Sequence, residues 1–190
     1  ERTMNVGAIG YNYTHDADFV MSRPDGNGCW LMLFVKENSL FEIGGSHYKV
    51  KKNSVVIFSP ETPCSYGGDG GKYTDDWLFF TLCDGERELI SALGIPINEP
   101  FYLGRLDELS QLMRTMSFEH CSPDPHHAEI ERCYAEILLY KLSDLIRSEY
   151  QPRSQELADK NYRFVHIRDS IYANPETIPD VNTLAAYTNM

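Results

Sequence analysis

The 190-residue chain lacks the short motifs by which most metal and nucleophile sites are recognised. Its five cysteines form no Cys-x-x-Cys pair, and neither His-x-His nor Gly-x-Ser-x-Gly occurs. A zinc knuckle, a disulfide framework and a serine-hydrolase elbow are therefore not expected. The odd number of cysteines favours a reducing compartment. We expect a cytoplasmic protein that is not an enzyme, with no catalytic residue, no metal and no cofactor.

Basic charge is also scarce, with 17 Lys and Arg against 28 Asp and Glu and a net charge of −11. Contact with phosphates requires clustered basic side chains, so this stretch of chain is not expected to bind nucleic acid directly. No apolar run approaches the ~18 residues of a membrane span, and no signal peptide opens the chain. We expect neither a membrane partner nor export.

The first part of the chain has aromatic and β-branched runs separated by turn residues, whereas the remainder has helix formers at helical spacing. This change predicts an α+β protein in which strands precede helices, the strands forming a sandwich or small barrel. The expected organisation is a β unit over 1–84, a helical region over 85–151, and a linker with two further helices over 152–190. Strands are predicted over 6–13, 19–22, 29–35, 40–43, 47–50, 54–58 and 73–83, and helices over 86–93, 106–118, about 125–150, 154–173 and from 181 onward.

The glycine cluster over 67–71 lies between two predicted strands. A phosphate-binding loop needs a following Lys-Ser or Lys-Thr and the start of a helix, and neither is present. A flexible hairpin loop is expected there.

The helix predicted to end near Tyr150 has an apolar face that is too broad for one neighbour. This pattern indicates either a helix packed on its own chain and also against a second chain, or one deeply buried helix. The first alternative predicts a homodimer. The residues expected at the dimer seam are Ile130, Tyr134, Ile137, Leu138, Leu142 and Leu145.

One group of polar and aromatic residues on the β segments suggests a binding site. By the period-2 rule Asp75, Trp77 and Phe79 share one face of a strand. With Arg23 and Tyr66 they would line a cavity suited to a sugar or another small polar metabolite, if that face points inward. The alternative is that Trp77 and Phe79 are core residues and Arg23 a surface residue.

Metal catalysis would need several histidines and a carboxylate converging inside the β unit. Only His15 and His47 lie in that region. A metal-dependent isomerase or dioxygenase therefore stays an alternative, for which a metal bound by His47 would be evidence. A carbohydrate-binding module without a regulatory role is a further alternative for the function of the chain.

Several stretches of the chain resemble AraC-family transcription regulators. Residues 22–26 (SRPDG), 44–50 (GGSHYKV), 60–66 (PETPCSY) and 76–80 (DWLFF) are similar to the cupin-like sensor domain of that family. Residues 167–175 (IRDSIYANP) and 181–190 are similar to the start of its DNA-binding domain. Cys64 stands where the family commonly carries histidine.

The resemblance implies a jelly-roll barrel that binds a small effector, a helical pair that forms a homodimer, and a helix-turn-helix domain that reads DNA. It assigns effector contacts to Arg23, Tyr66 and Trp77. The chain stops before any recognition helix, so DNA would be bound only through a missing C-terminal part. The expected effector is a sugar, and the expected mechanism is that its binding favours one arrangement of the N-terminal segment and the helical seam.

Overall fold

The computed structural model describes residues 4–150, apart from the side chains of 84–86 and 148–150. The chain divides into two compact units, Glu1–Ile146 and Arg147–Met190. The helices predicted over 154–173 and from 181 onward lie outside the described residues.

The described part is α+β, with nine strands and three helices. The elements are β1 (Asn5–His15), β2 (Val20–Arg23), β3 (Trp30–Val35), β4 (Ser39–Ile43), β5 (Ser46–Val50), β6 (Ser54–Phe58), β7 (Cys64–Gly68), β8 (Tyr73–Thr81), α1 (Asp84–Ala92), β9 (Phe101–Tyr102), α2 (Asp107–His120) and α3 (His127–Tyr150).

The strands form two antiparallel sheets. The larger sheet has the order β1-β8-β3-β6-β9 and the smaller sheet has the order β2-β7-β4-β5. Because β1 and β9 are the edges of one sheet and β2 and β5 are the edges of the other, the strands of residues 4–150 form two open sheets and no closed barrel. The sandwich alternative of the sequence prediction therefore describes the observed arrangement, whereas the barrel does not.

A strand that sequence reasoning missed, β7, lies at the centre of the smaller sheet, between β2 and β4. Gly67 and Gly68, expected in a loop, are its last two residues. A Cβ atom on Gly67 would lie 2.4 Å from the carbonyl oxygen of Phe19, so the glycine permits close approach of the neighbouring backbone. Glycine is poor evidence for a strand, which explains the error.

The central strands β3 and β6 of the larger sheet are buried on both faces. All six residues of β3 are buried, which fits its uninterrupted apolar sequence. Its odd-numbered residues, including Leu31 and Leu33, face the smaller sheet, and its even-numbered ones, including Met32 and Phe34, face the helices. We call these two sides of the larger sheet the inner face and the helix face.

The helices cover the helix face through their apolar stripes. In α2 the buried residues are Leu109, Met113 and Met116, as the helical spacing predicted. In α3 the buried side includes Leu138, Leu139 and Leu142. No described helix combines the length and apolar character needed to cross a bilayer.

Candidate functional site

Strand β8 divides its side chains between the two faces of the larger sheet. Asp75, Trp77 and Phe79 lie on the inner face, where Trp77 and Phe79 are half-buried against the core between the sheets. The rings of Trp77 and Phe79 meet edge to face, with centroids 5.6 Å apart. The inward orientation on which the sequence hypothesis depended is therefore present.

The indole of Trp77 lies over the backbone of the neighbouring strand β1. Gly10 is the register partner of Trp77, and a Cβ atom on Gly10 would come within 2.2 Å of the indole. Tyr13, on the same strand, has its ring 5.6 Å from the indole. Neither Gly10 nor Tyr13 was singled out from the sequence, because strand pairing alone brings them to Trp77.

Tyr66 lies in the middle of β7, facing the inner face of the larger sheet. Burial raises the pKa of Tyr66 strongly, the Asp75 carboxylate adds to the rise, and the Arg23 guanidinium opposes it. Arg23 is exposed at the end of β2, in register with Cys64. Tyr66 is therefore within electrostatic reach of both Arg23 and Asp75, two residues of opposite charge.

Aromatic rings fill the centre of the space between the sheets. The ring of Tyr66 is 5.2 Å from that of Phe41, 6.2 Å from that of Phe58 and 5.6 Å from that of Tyr73. A guest cannot occupy this centre without displacing a ring. The half-buried Trp77 and Phe79 and the exposed Arg23 and Tyr13 are not among these packed rings. We call this set, together with Tyr66 and Asp75, the inner margin.

Asp75 is 2% exposed, and its Oδ1 atom has no hydrogen-bond partner among the described residues. The hydroxyl of Tyr73, on the same face of β8, is buried and acts on this carboxyl as a hydrogen-bonding group. Burial raises the pKa of Asp75 to about 7; the Tyr73 hydroxyl opposes the rise, the Asp76 charge adds to it and the Lys36 ammonium opposes it. A buried carboxyl without a partner is costly when ionised, so its neutral form is favoured.

The next residue, Asp76, points to the helix face and has three partners. Its Oδ1 atom accepts from the backbone N–H of Asn12 at 2.7 Å and from the ammonium of Lys36 at 2.5 Å. Its Oδ2 atom accepts from the hydroxyl of Ser110 at 2.6 Å. This fully buried carboxylate ties β8 to β1, to the end of β3 and to α2, and sequence reasoning did not identify it.

A surface cavity of about 510 Å³ lies beside this carboxylate, on the helix side of the sheet. Lys36 lies over the ring of Tyr11, with its ammonium 4.6 Å from the ring centroid. The cavity is separate from the inner margin, since its lining comes from α2 and from the strand ends that meet α2. Its polar lining includes Asn12, Lys36, Lys52, Asn53, Ser110 and Gln111.

The histidines of the β unit do not converge. His47 is exposed on the outer face of the smaller sheet, in register with Glu42. His15 stacks on Phe19, with ring centroids 3.8 Å apart. Within the described part of the chain, no three His, Cys, Asp or Glu side chains are grouped so that they could hold a metal ion.

The structure corrects the predicted dimer seam on α3. Leu138 and Leu142 are fully buried in the core of their own chain, and Tyr134 and Leu145 are half-buried against it. Leu138 and Leu142 therefore cannot lie at a seam without unfolding the packing of α3. Periodicity could not show which of the two apolar faces of α3 is inside.

The other two predicted seam residues are exposed. Ile130 is 39% exposed and Ile137 is 41% exposed. With the exposed Cys133 and Tyr140 they form a line on the side of α3 opposite the core, at successive spacings of three, four and three residues. This is the spacing of a coiled-coil seam, and we call the line the outer stripe.

Comparison with known proteins adds little. No family model matches the chain, and no curated protein matches it. Among solved structures, the plu4264 protein from Photorhabdus luminescens aligns over 43% of this chain and 68% of its own, at 11% identity and a TM-score of 0.32. That likeness is too low to support any statement on fold or function.

Proposed function

We propose that this chain is the effector-sensing and dimerisation part of an AraC-type transcription regulator, with a cupin-like β unit that binds a small polar molecule, such as a sugar. The observation that carries the proposal is the inner margin. It has a guanidinium and a carboxyl that both act electrostatically on Tyr66, and two half-buried aromatic rings on the same inner face as that carboxyl. This is the composition of a site for small polar ligands. The sequence resemblance to the family supports the regulatory part of the proposal.

Binding at this site does not require that the ligand react. Arg23 offers planar hydrogen-bond donors, and Asp75 offers an acceptor at the deep end. Trp77 and Phe79 provide apolar surface against which a sugar ring can pack. A site of this kind holds a ligand without transforming it, so the proposed protein is a sensor that acts from the cytoplasm, and DNA is contacted only by residues beyond those described.

Occupancy of the inner margin is transmitted through β8 in this proposal. Asp75 and Asp76 are consecutive, and Asp76 is hydrogen-bonded to Ser110 on α2. From α2 the contact continues to α3, where the His120 ring nitrogen Nδ1 lies 2.7 Å from Glu131 Oε1 and Lys141 pairs with Glu108. A guest that displaces β8 would thus alter the position of α3 and its outer stripe.

The outer stripe is proposed to be the homodimer seam. Its apolar residues occupy positions at which two helices of a coiled coil meet, and they are not used by the core. We expect Ile137→Glu to weaken the dimer at least tenfold, measured by analytical ultracentrifugation. Leu40→Glu is the matched control, because Leu40 is similarly exposed (44%) but lies on the smaller sheet. A monomer at all concentrations, or equal weakening by both variants, contradicts the seam.

Cys133 gives an independent test of the same seam. It is exposed within the outer stripe, whereas Cys121, also exposed, lies just after α2. A short thiol-reactive cross-linker is expected to join two chains through Cys133, so that Cys133→Ser abolishes the cross-link and Cys121→Ser preserves it. Cross-linking through Cys121 alone would place the interface elsewhere.

The effector part is tested by a thermal-shift screen of sugars on the wild-type chain and on Trp77→Ala. A ligand present at 100 times its Kd stabilises the folded state by about 2.7 kcal/mol, which is readily detected. The expected result is a sugar that stabilises the wild type and loses its effect in the variant. A response that is unchanged in Trp77→Ala removes Trp77 from the site.

The regulatory part is tested by the reading frame of the encoding gene. We expect it to continue past Met190 into a short turn and a helix that carries Lys and Arg, as a DNA-recognition helix requires. A reading frame without such a helix would contradict the regulatory proposal and favour a carbohydrate-binding module without a regulatory role. Stoichiometric iron, manganese or zinc in the purified protein would instead favour a metal-dependent enzyme.

A further inference from the structure

The cavity on the helix side of the larger sheet is lined by three charged side chains that are not paired. Its volume of about 510 Å³ lies within the range of about 300–1,000 Å³ that is usual for small-molecule sites. The charged groups are the carboxylates of Glu37 and Asp107 and the ammonium of Lys52. None of the three belongs to an ion pair between described residues. These opposite charges face one cavity without neutralising each other, so all three are available to a molecule that enters it.

Two half-buried residues of the lining, Lys36 and Ser110, are fixed by the carboxylate of Asp76. Lys36 donates to Asp76 and also, at 3.2 Å, to Oδ1 of Asn12. Asp76 neutralises Lys36, so this pair adds no net charge to the cavity. The hydroxyl hydrogen of Ser110 is donated to Asp76, and toward a ligand Ser110 can therefore only accept.

Two asparagines of the lining have backbone angles that are uncommon in residues other than glycine. Asn12 has a φ of 55° and Asn53 a φ of 68°. Asn12 lies where the pairing of β1 with β8 shifts register, between Gly10 and Tyr13. The side chain of Asn53 donates from Nδ2 to the carbonyl oxygen of Gly104 at 2.8 Å. Strand irregularities and left-handed residues are concentrated near binding sites, and here hydrogen bonds hold both asparagines in place before a ligand arrives.

The groups of the lining restrict the chemistry of the ligand. Glu37, Asp107 and the Ser110 hydroxyl accept hydrogen bonds, so they favour groups that carry positive charge and several donors. An ammonium or a guanidinium has donors only, whereas a carboxylate has acceptors only and suits Lys52. A complementary molecule therefore has one carboxylate and two cationic groups. A neutral sugar would leave all three charges unpaired, a diamine would leave Lys52 unpaired, and a dicarboxylate would be repelled by Glu37 and Asp107.

We propose that this cavity binds a basic amino acid such as lysine or arginine. The α-carboxylate of the ligand pairs with Lys52, and its two cationic groups pair with Glu37 and Asp107. The site is separate from the inner margin and goes beyond the proposed function, because it needs neither a sugar effector nor a regulatory role. Either proposal can fail while the other stands.

The experiment is a calorimetric titration of the full chain with L-lysine and L-arginine. Three related probes each lack one feature of the ligand. Cadaverine is lysine without the carboxylate, L-norleucine has an apolar side chain of similar length, and L-glutamate has an acidic side chain. We expect one of the two basic amino acids to bind saturably. Each of the three probes should bind it at least fivefold more weakly, since about fivefold is the most that one exposed ion pair usually contributes.

The role of Lys52 is tested by Lys52→Gln. We expect this variant to weaken binding of the basic amino acid about fivefold without weakening that of cadaverine, which has no carboxylate to lose. Lys51→Gln is the matched control, because Lys51 is exposed beside Lys52 in the described part of the chain and lies outside the cavity lining. It should leave both affinities unchanged.

The role of the carboxylates is tested by Glu37→Gln, which should weaken the basic amino acid and cadaverine alike. Glu42→Gln is its control, because Glu42 is exposed in β4 of the smaller sheet. All four substituted side chains are exposed, so the variants are expected to fold. Trp77→Ala should retain binding of the basic amino acid, since Trp77 belongs to the inner margin.

Four outcomes would overturn the inference. The first is no binding of either basic amino acid at millimolar concentration, and the second is binding of norleucine or glutamate as tight as that of the basic amino acid. The third is equal weakening by Lys52→Gln and Lys51→Gln, or by Glu37→Gln and Glu42→Gln. The fourth is loss of binding in Trp77→Ala, which would place the ligand at the inner margin. None of these outcomes alters the result of the sugar screen, which tests the proposed function separately.

Discussion

Asp75 and Asp76 are adjacent in sequence and both fully or almost fully buried, yet their surroundings are opposite. Asp76 faces the helices, where it accepts three hydrogen bonds, one of them from the ammonium of Lys36. Asp75 faces the space between the sheets, where its Oδ1 atom has no partner in the described part of the chain. The carboxylate of Asp76 thus stabilises the fold, whereas the Oδ1 atom of Asp75 could accept a hydrogen bond from a ligand.

The contrast extends to the two sides of the larger sheet. The helix face is a completed core in which apolar residues pack on the helices, and the buried carboxylate of Asp76 is fully paired there. The inner face has a filled aromatic centre but an incomplete margin, with half-buried rings and an Asp75 Oδ1 atom that has no partner among the residues the structure describes. Proteins keep unpaired buried polar groups mainly where function requires them. We therefore expect substitutions at the inner margin to affect ligand binding and substitutions on the helix face to affect the free energy of unfolding.

The largest expected change in stability comes from replacing Asp76, and the same replacement at Asp75 serves as the comparison. Asp76→Asn leaves the Lys36 ammonium without its counter-charge in a partly buried position, and we expect a loss of about 3 kcal/mol or more in the free energy of unfolding. Asp75→Asn removes no paired charge and replaces a carboxyl whose ionisation is disfavoured by burial, so no loss of stability is expected. Urea denaturation at pH 7 measures both. Equal losses would contradict the assignment of structural and available carboxyls.

A smaller effect is expected at the inner margin, from the contact between Gly10 and Trp77. Gly10→Ala forces the indole away from β1, at a cost of about 1–3 kcal/mol in stability. Gly7→Ala, on the same strand, is the control, because a Cβ atom there meets only a carbonyl oxygen at 3.6 Å. In a Trp30→Phe background the fluorescence of Trp77 should shift in the first variant alone. An unshifted spectrum in Gly10→Ala would mean that the indole does not lie on this glycine.

The most gradual effect is the pH dependence of stability, which is small within any one pH unit. The pKa of Asp75 is about 7 in the folded chain, above the value of about 4 in an unfolded chain. Between these values the folded state retains a proton that the unfolded state has lost, so this residue's contribution to stability is present below pH 4 and lost as the pH rises toward 7, by at most about 1.4 kcal/mol per pH unit.

The comparison of wild type with Asp75→Asn isolates this contribution from those of other carboxyls. We expect the variant to gain stability relative to the wild type from pH 4 to pH 7, and the difference to remain constant above pH 7. Chemical denaturation at half-unit pH intervals gives the curve. A difference that is flat throughout would show that Asp75 is not protonated in the folded chain.

The sequence predicted those parts of the structure in which apolar residues recur at the regular spacing of a strand or a helix. The alternation over β8 placed Asp75, Trp77 and Phe79 on one face, and the helical spacing placed the core residues of α2. These patterns depend only on neighbours along the chain. They therefore predict which residues share a face, though not which of two apolar faces lies inside, and for that reason Leu138 and Leu142 were assigned to the wrong surface.

The rest depended on contacts between residues distant in sequence. Gly10 lies under the Trp77 indole only because β1 pairs with β8, and Ser110 reaches Asp76 only because α2 packs on the sheet. Strand β7 was obscured by its glycines, which are there because another backbone approaches closely. A consecutive Asp-Asp pair in a predicted buried strand was the one available signal, since alternating faces require each carboxyl to find its own partner.

The most direct test of the account is a calorimetric titration of the best-stabilising sugar into the wild-type chain and into Trp77→Ala at pH 8. The account predicts saturable binding to the wild type and at least tenfold weaker binding to the variant. Equal affinity in the two proteins would contradict a ligand at the inner margin.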